Sequence, residues 1–139
     1  MLQRPSSPGC LVSLSCALLL GCGAAGGDYQ EVSGLVTFQG EPISDGSIQF
    51  LTGDTQLAPV GGSMIRDGEY LLPQDHGLKP GTYVVRISAP QRVPNPHRED
   101  EMSPAFLSRE RIPATFNTKS TLRIEVRAGE PSQFDFDLQ

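Results

Sequence analysis

The chain has 139 residues, room for one domain and hardly for two. It carries 15 glycines, 12 prolines and no tryptophan, with 37% hydrophobic and 19% charged residues, which favours many short strands joined by turns over long helices. A formal net charge of −5, with acidic and basic residues mixed along the sequence, argues against nucleic acid as a partner, because phosphate binding needs a clustered basic surface.

Residues 1–21 read as a secretion signal. Arg4 precedes the apolar run "LVSLSCALLL" (11–20), and small residues follow it. Ten residues are too few to span a bilayer, which needs ~20 in a helix. The "GCGAAGG" that comes next does not continue a helix. The stretch Leu19-Leu20-Gly21-Cys22 resembles the lipobox of bacterial lipoproteins. In that family cleavage falls between the residues matching Gly21 and Cys22, and the cysteine carries diacylglycerol, usually with a further acyl chain such as palmitate on its amine. The resemblance implies a lipid-anchored protein of the bacterial cell envelope, facing the periplasm or the outer membrane. Several acyl chains suit that role, since each buried CH₂ contributes about 0.8 kcal/mol and one chain alone is marginal. The cysteine count agrees: Cys10 and Cys16 lie inside the signal, so Cys22 remains alone and no internal disulfide is possible. Residues 22–29 then form a flexible tether.

From 30 to 139 the pattern has period two, with turn signals between the runs. "EVSGLVTF" sets Val32, Gly34, Val36 and Phe38 on one face, and "QGEP" turns the chain, with Gly40 free to take positive φ. Asp45-Gly46 reads as a turn introducing "SIQFL", where Ile48 and Phe50 point inward. "GGSMI" and "EYLL" flank Asp67-Gly68, a strong antiparallel hairpin signal. "LKPGTYVVRISAP" places Tyr83, Val85 and Ile87 on one side, "TLRIEV" alternates Leu122, Ile124 and Val126 with polar residues, and "QFDFDL" alternates Phe134, Phe136 and Leu138 with Asp135 and Asp137. Seven antiparallel strands, each apolar on one face, predict an all-β two-sheet sandwich. Between the fifth and sixth lies a long loop, Gln91 to Ser120, with four prolines and the run Arg98-Glu99-Asp100-Glu101. Loops of that length are functional or disordered. Gln91 to about Ser108 is expected to be exposed and mobile, and Arg109 to Ser120 ordered, with Ile112 and Phe116 capping an open edge.

The order of these features resembles the carboxypeptidase regulatory-like, or transthyretin-like, sandwich. Its V-x-G-x-V strand matches Val32, Gly34 and Val36; its G-x-P-[IL] turn matches Gly40, Pro42 and Ile43; D-G-x-Y matches Asp67, Gly68 and Tyr70; and P-G-x-Y-x-V matches Pro80, Gly81, Tyr83 and Val85. The likeness covers about residues 30 to 139 and implies fold more than function. On their own chemistry, Gly34 marks a bulge or close backbone approach, and the Tyr70 and Tyr83 hydroxyls are placed to reach loop carbonyls.

No residue set in the sequence makes a catalytic site. There is no G-x-S-x-G, Ser63 lies at a strand start, and two histidines make a Ser-His-Asp triad improbable. His97 with Glu99, Asp100 and Glu101, or Asp75 with His76, offers too few well-placed ligands for zinc, and no calcium loop motif is present. The enzymes among transthyretin-like sandwiches, the hydroxyisourate hydrolases, end in Tyr-Arg-Gly-Ser and use an early histidine. This chain ends "DFDLQ" and has no histidine before His76. The expectation is a non-enzymatic envelope module without cofactor or metal, anchored to the membrane through Cys22. Its partner would be an envelope protein or glycan meeting the 91–120 loop, with Phe106 and Leu107 as contact residues. The alternative is a binding protein for a small ligand or glycan through the same loop.

Overall fold

The computed structural model describes residues 28–53 and 58–139. Within them the chain is all-β, with two single 3₁₀ turns at Gln74–His76 and Ala114–Phe116. The strands are β1 (Val32–Phe38), β2 (Glu41–Pro42), β3 (Asp45–Thr52), β4 (Pro59–Arg66), β5 (Glu69–Leu72), β6 (Gly81–Ser88), β7 (Pro90–Pro94), β8 (Phe106–Glu110), β9 (Arg123–Val126), β10 (Ser132–Gln133) and β11 (Phe136–Leu138). One curled sheet runs β10-β1-β5-β4-β3-β6-β9, with β2 and β11 also on β1. β7 and β8 form a separate two-stranded ribbon.

The alternation read in the sequence sets the inner face. Val32, Val36, Ile48, Phe50, Ile65, Tyr70, Leu72, Val85, Ile87, Ile124, Val126 and Leu138 are buried in one cluster. Their neighbours along each strand are mostly half-buried or exposed, as the pleat requires. Val84 is the exception: it is also buried, opposite Leu51 on the other face. Two tight turns carry positive φ at both central residues, Gln39-Gly40 (53° and 81°) and Asp67-Gly68 (48° and 83°). That geometry matches the twist of antiparallel strands.

Three features differ from the sequence expectation. Asp45 and Gly46 belong to β3 and form no turn. A Cβ at residue 46 would lie 2.7 Å from the Ser88 carbonyl oxygen, so the glycine serves a close approach inside the sheet. The closing strand is parallel to β1, pairing Val32 with Ser132 and Val36 with Phe136, whereas antiparallel pairing was expected throughout. It is also broken at Phe134-Asp135, where Asp135 Oδ1 accepts the Leu35 N–H at 2.8 Å in place of a ladder bond. Phe134 and Phe136 are consequently half-buried, and Leu138 is the closing strand's fully buried residue.

The break explains Gly34. A Cβ there would fall 1.9 Å from the Phe134 carbonyl oxygen, so the two backbones touch. The same oxygen accepts the Tyr70 hydroxyl at 2.7 Å, and the Tyr83 hydroxyl donates to the Lys79 carbonyl at 2.8 Å. Burial first, and then the nearby Asp135 charge, push the Tyr70 phenol well above its usual range, so it stays a donor.

These pairings orient the domain. Gln30 bridges Leu78, just before β6 begins, and Tyr29 lies 5.3 Å from the Lys79 ammonium. β6 then runs its eight residues, about 25 Å at ~3.3 Å each, to the opposite end of the sheet. The β7–β8 ribbon leaves from there.

Candidate functional site

The 91–120 segment, expected as a long loop that is exposed and mobile to about Ser108 and ordered from Arg109, holds a paired ribbon in its first half as well. β7 and β8 pair antiparallel from Pro90↔Glu110 at the root to Pro94↔Phe106 near the tip. The sequence conceals this because a strand without a buried face has no alternation to show. Every residue of both strands is exposed except Val93, which is half-buried, so the expected exposure of this half holds. An isolated two-stranded ribbon is marginal in water, and this one is tied at both ends.

At the root, Glu110 is the knot. Its Oε1 accepts the Ala89 N–H at 2.9 Å and the Ile112 N–H at 2.8 Å, while Oε2 accepts the Ser88 hydroxyl. Partial burial opposes the charge, but the hydrogen bonds from Ser88, Ala89, Ile112 and Arg111 outweigh it and hold the carboxyl below the usual glutamate range. Beyond the root, Ile112 is buried in the core and Phe116 packs against it, as the capping expectation had it. The Ser120 hydroxyl donates to the Val85 carbonyl and pins the segment to β6.

At the tip, the Asn95 side chain donates to the Pro104 carbonyl at 2.9 Å and accepts the His97 N–H at 3.0 Å. Asp100 accepts both the hydroxyl and the N–H of Ser103, which lowers its pKa. Asp100 is thus engaged in a turn. Among the described residues, no group of three or more His, Cys, Asp and Glu side chains gathers at metal-binding distance.

The ribbon carries both sequence-derived contact residues, on opposite faces. Phe106 is 50% exposed with the Arg92 guanidinium 4.7 Å over its ring, and Leu107 is 41% exposed opposite Val93. The phase of the ladder follows from the Asn95 N–H, which donates to the Ala105 carbonyl at 3.0 Å. Pairs 93/107 and 91/109 therefore exchange bonds inside the ribbon, and residues 90, 92 and 94 of β7 and 106, 108 and 110 of β8 turn their backbone groups outward. Two of the three outward positions on β7 are prolines, which have no N–H to offer. β8 has no such guard.

Two of the clefts among the described residues bear on the site. One of about 480 Å³ sits at the ribbon root among Ser88, Glu110, Ile112, Ala114, Asn117 and Thr118. The other, about 620 Å³, lies on the outer face where β4 and β5 splay after the single pair Arg66↔Glu69, and Leu35, Met64 and Leu71 line it. Ser63 bridges that splay by donating to the Leu71 carbonyl at 2.8 Å, so its hydroxyl is engaged with backbone. His76 is exposed with Nδ1 3.1 Å from Asp75. Glu110 and the splayed groove are absent from the sequence-derived candidates; a carboxylate folding onto its own root has no local motif. Gly21 and Cys22 lie outside the described residues. No protein-family model matches this chain, and searches of curated proteins and of solved structures find nothing similar to it.

Proposed function

We propose that this chain is a non-enzymatic, lipid-anchored protein of the bacterial cell envelope that presents the β7–β8 ribbon to a partner. The observation that carries the reading is the arrangement along β6. The chain enters the sheet beside Leu78, and the ribbon with Phe106 and Leu107 departs from the other end. A protein held to a membrane at Cys22 would offer its far end to whatever lies beyond the surface. We read the curled sheet as a carboxypeptidase regulatory-like, transthyretin-like domain. The support is that Gly34, Gly40, Asp67-Gly68, Tyr70 and Tyr83 each have the structural task their motif implies.

Cys22→Ser tests the anchor. The wild type should incorporate labelled palmitate and partition into detergent, and the variant should stay in the aqueous phase with an unchanged fold. Membrane retention without an acyl label would defeat the reading. A second reading, a small ligand or glycan held at the ribbon root, is favoured by the polar side chains of Asn117 and Thr118 beside apolar Ile112 and Ala114 in the 480 Å³ cleft. A thermal-shift screen with sugars separates the two, because binding to the folded state raises stability by mass action.

A further inference from the structure

We infer that the open edge of β8 is a strand-pairing site and that its occupant is β8 of a second copy of this chain. The inference deepens the reading of the ribbon as a contact element and does not depend on the lipid anchor. Strand edges with outward N–H and C=O groups are templates for pairing, and natural proteins guard them with proline, charge or cover. Proline blocks one edge of the ribbon, and the other keeps its N–H groups free. Pro90 and Pro94 close β7, while Phe106, Ser108 and Glu110 keep outward donors and acceptors on β8.

Charge selects a second copy as the occupant. Across residues 90–112, Arg92, Arg98, Arg109 and Arg111 balance Glu99, Asp100, Glu101 and Glu110, so the net charge of −5 lies entirely outside the ribbon. Copies that repel elsewhere meet there without penalty. An antiparallel, two-fold pairing centred on Ser108 sets Leu107 of each strand opposite Arg109 of the other, and brings the acidic tip run 99–101 towards the partner's Arg109 and Arg111. Each patch contacts its own counterpart, as a closed two-fold interface requires. Both ribbons then form one four-stranded sheet in which Phe106 and Leu107 gain neighbours on each face.

Cross-linking tests the register directly. In the full-length chain with Cys10, Cys16 and Cys22 replaced by serine, Ser108→Cys puts the single thiol on the two-fold axis. Paired residues there lie about 5.5 Å apart at Cα, within disulfide range. Mild oxidation should give a dimer band for Ser108→Cys and none for Arg92→Cys on the guarded edge. Equal cross-linking at both positions, or none at Ser108→Cys, overturns the inference, while acyl labelling of the wild-type chain, which keeps Cys22, reports separately on the anchor. Ser108→Pro in the otherwise native chain should abolish the dimer in sedimentation experiments while leaving the main melting transition in place. A dimer that survives Ser108→Pro would also overturn it. Reversing the tip charges with Glu99→Lys and Glu101→Lys should weaken dimerisation by about tenfold, the scale of two partly exposed ion pairs.

Discussion

The curled sheet and the β7–β8 ribbon are both antiparallel pairings of short strands, and they differ in what their side chains face. In the sheet each strand buries one face, so Phe50 and Val85 sit opposite each other at zero exposure. In the ribbon neither face is covered, and stability depends on ties at the root and tip, chiefly the three groups that converge on Glu110. Period-two hydrophobicity therefore records burial of a face and not the presence of a strand. It also separates residues kept for packing from residues free for contact. The largest expected effect is Phe50→Ala. Phe50 is fully buried, with its ring centroid 6.2 Å from that of Tyr70, and its loss should cost about 3–5 kcal/mol in chemical denaturation. A cost below that of an ordinary surface change would erase the distinction between the two regions. Gly34→Ala comes next, at about 3 kcal/mol, the upper end of overpacking penalties, because the added methyl meets the Phe134 backbone. Its signature should be loss of hydrogen-exchange protection in β10 and β11 before the rest of the sheet.

Glu110→Gln probes the ribbon's root. It should cost about 1 kcal/mol, scaled down from charged hydrogen bonds because the site is partly solvated, and should loosen the ribbon while the sheet melts as before. The folded-state pKa of Glu110 lies below its unfolded value, so the stabilisation is present above ordinary glutamate titration, near pH ~4.3, and is lost as pH falls through the folded value. Amide protection at Ala89 and Ile112, taken relative to the intrinsic exchange rate at each pH, should follow that course in the wild type and stay flat in the variant. The smallest effect is predicted for Phe106→Ala and Leu107→Ala, within about 0.5 kcal/mol of wild type, since both are exposed. Their consequence should appear in dimer formation instead.

Much of the sheet was legible in the sequence because its signals are local. Asp67-Gly68 specifies a turn by its own backbone freedom, and the burial of Tyr70 with Leu72, or of Ile124 with Val126, is written in four-residue windows. Gly34 was legible as a close approach, though its partner, one hundred residues away, was not. The failures have the opposite character. Asp45-Gly46 carries a turn signature, yet Gly46 is required by the carbonyl of Ser88 on a neighbouring strand. Parallel pairing of the closing strand with β1 leaves no local trace, because direction is decided by where the chain crosses over. At the candidate site, Phe106 and Leu107 stood out as apolar residues without a packing task, whereas the guarded and open edges appeared only once the ladder's phase was known.

The parallel seam between β1 and the closing strand also sets a timetable. Leu35 and Asp135 are joined across one hundred residues, and Val36 sits beside Phe136. β1 is the first strand of the sheet to be synthesised, and the strands that complete it are the last described part of the chain to leave the ribosome. Contacts so distant in sequence close slowly, because the entropy of the intervening loop is lost before the contact forms. The sheet is therefore finished only after residues 132–138 have been made. Until then β1 keeps an open edge along the side that β10 and β11 later cover.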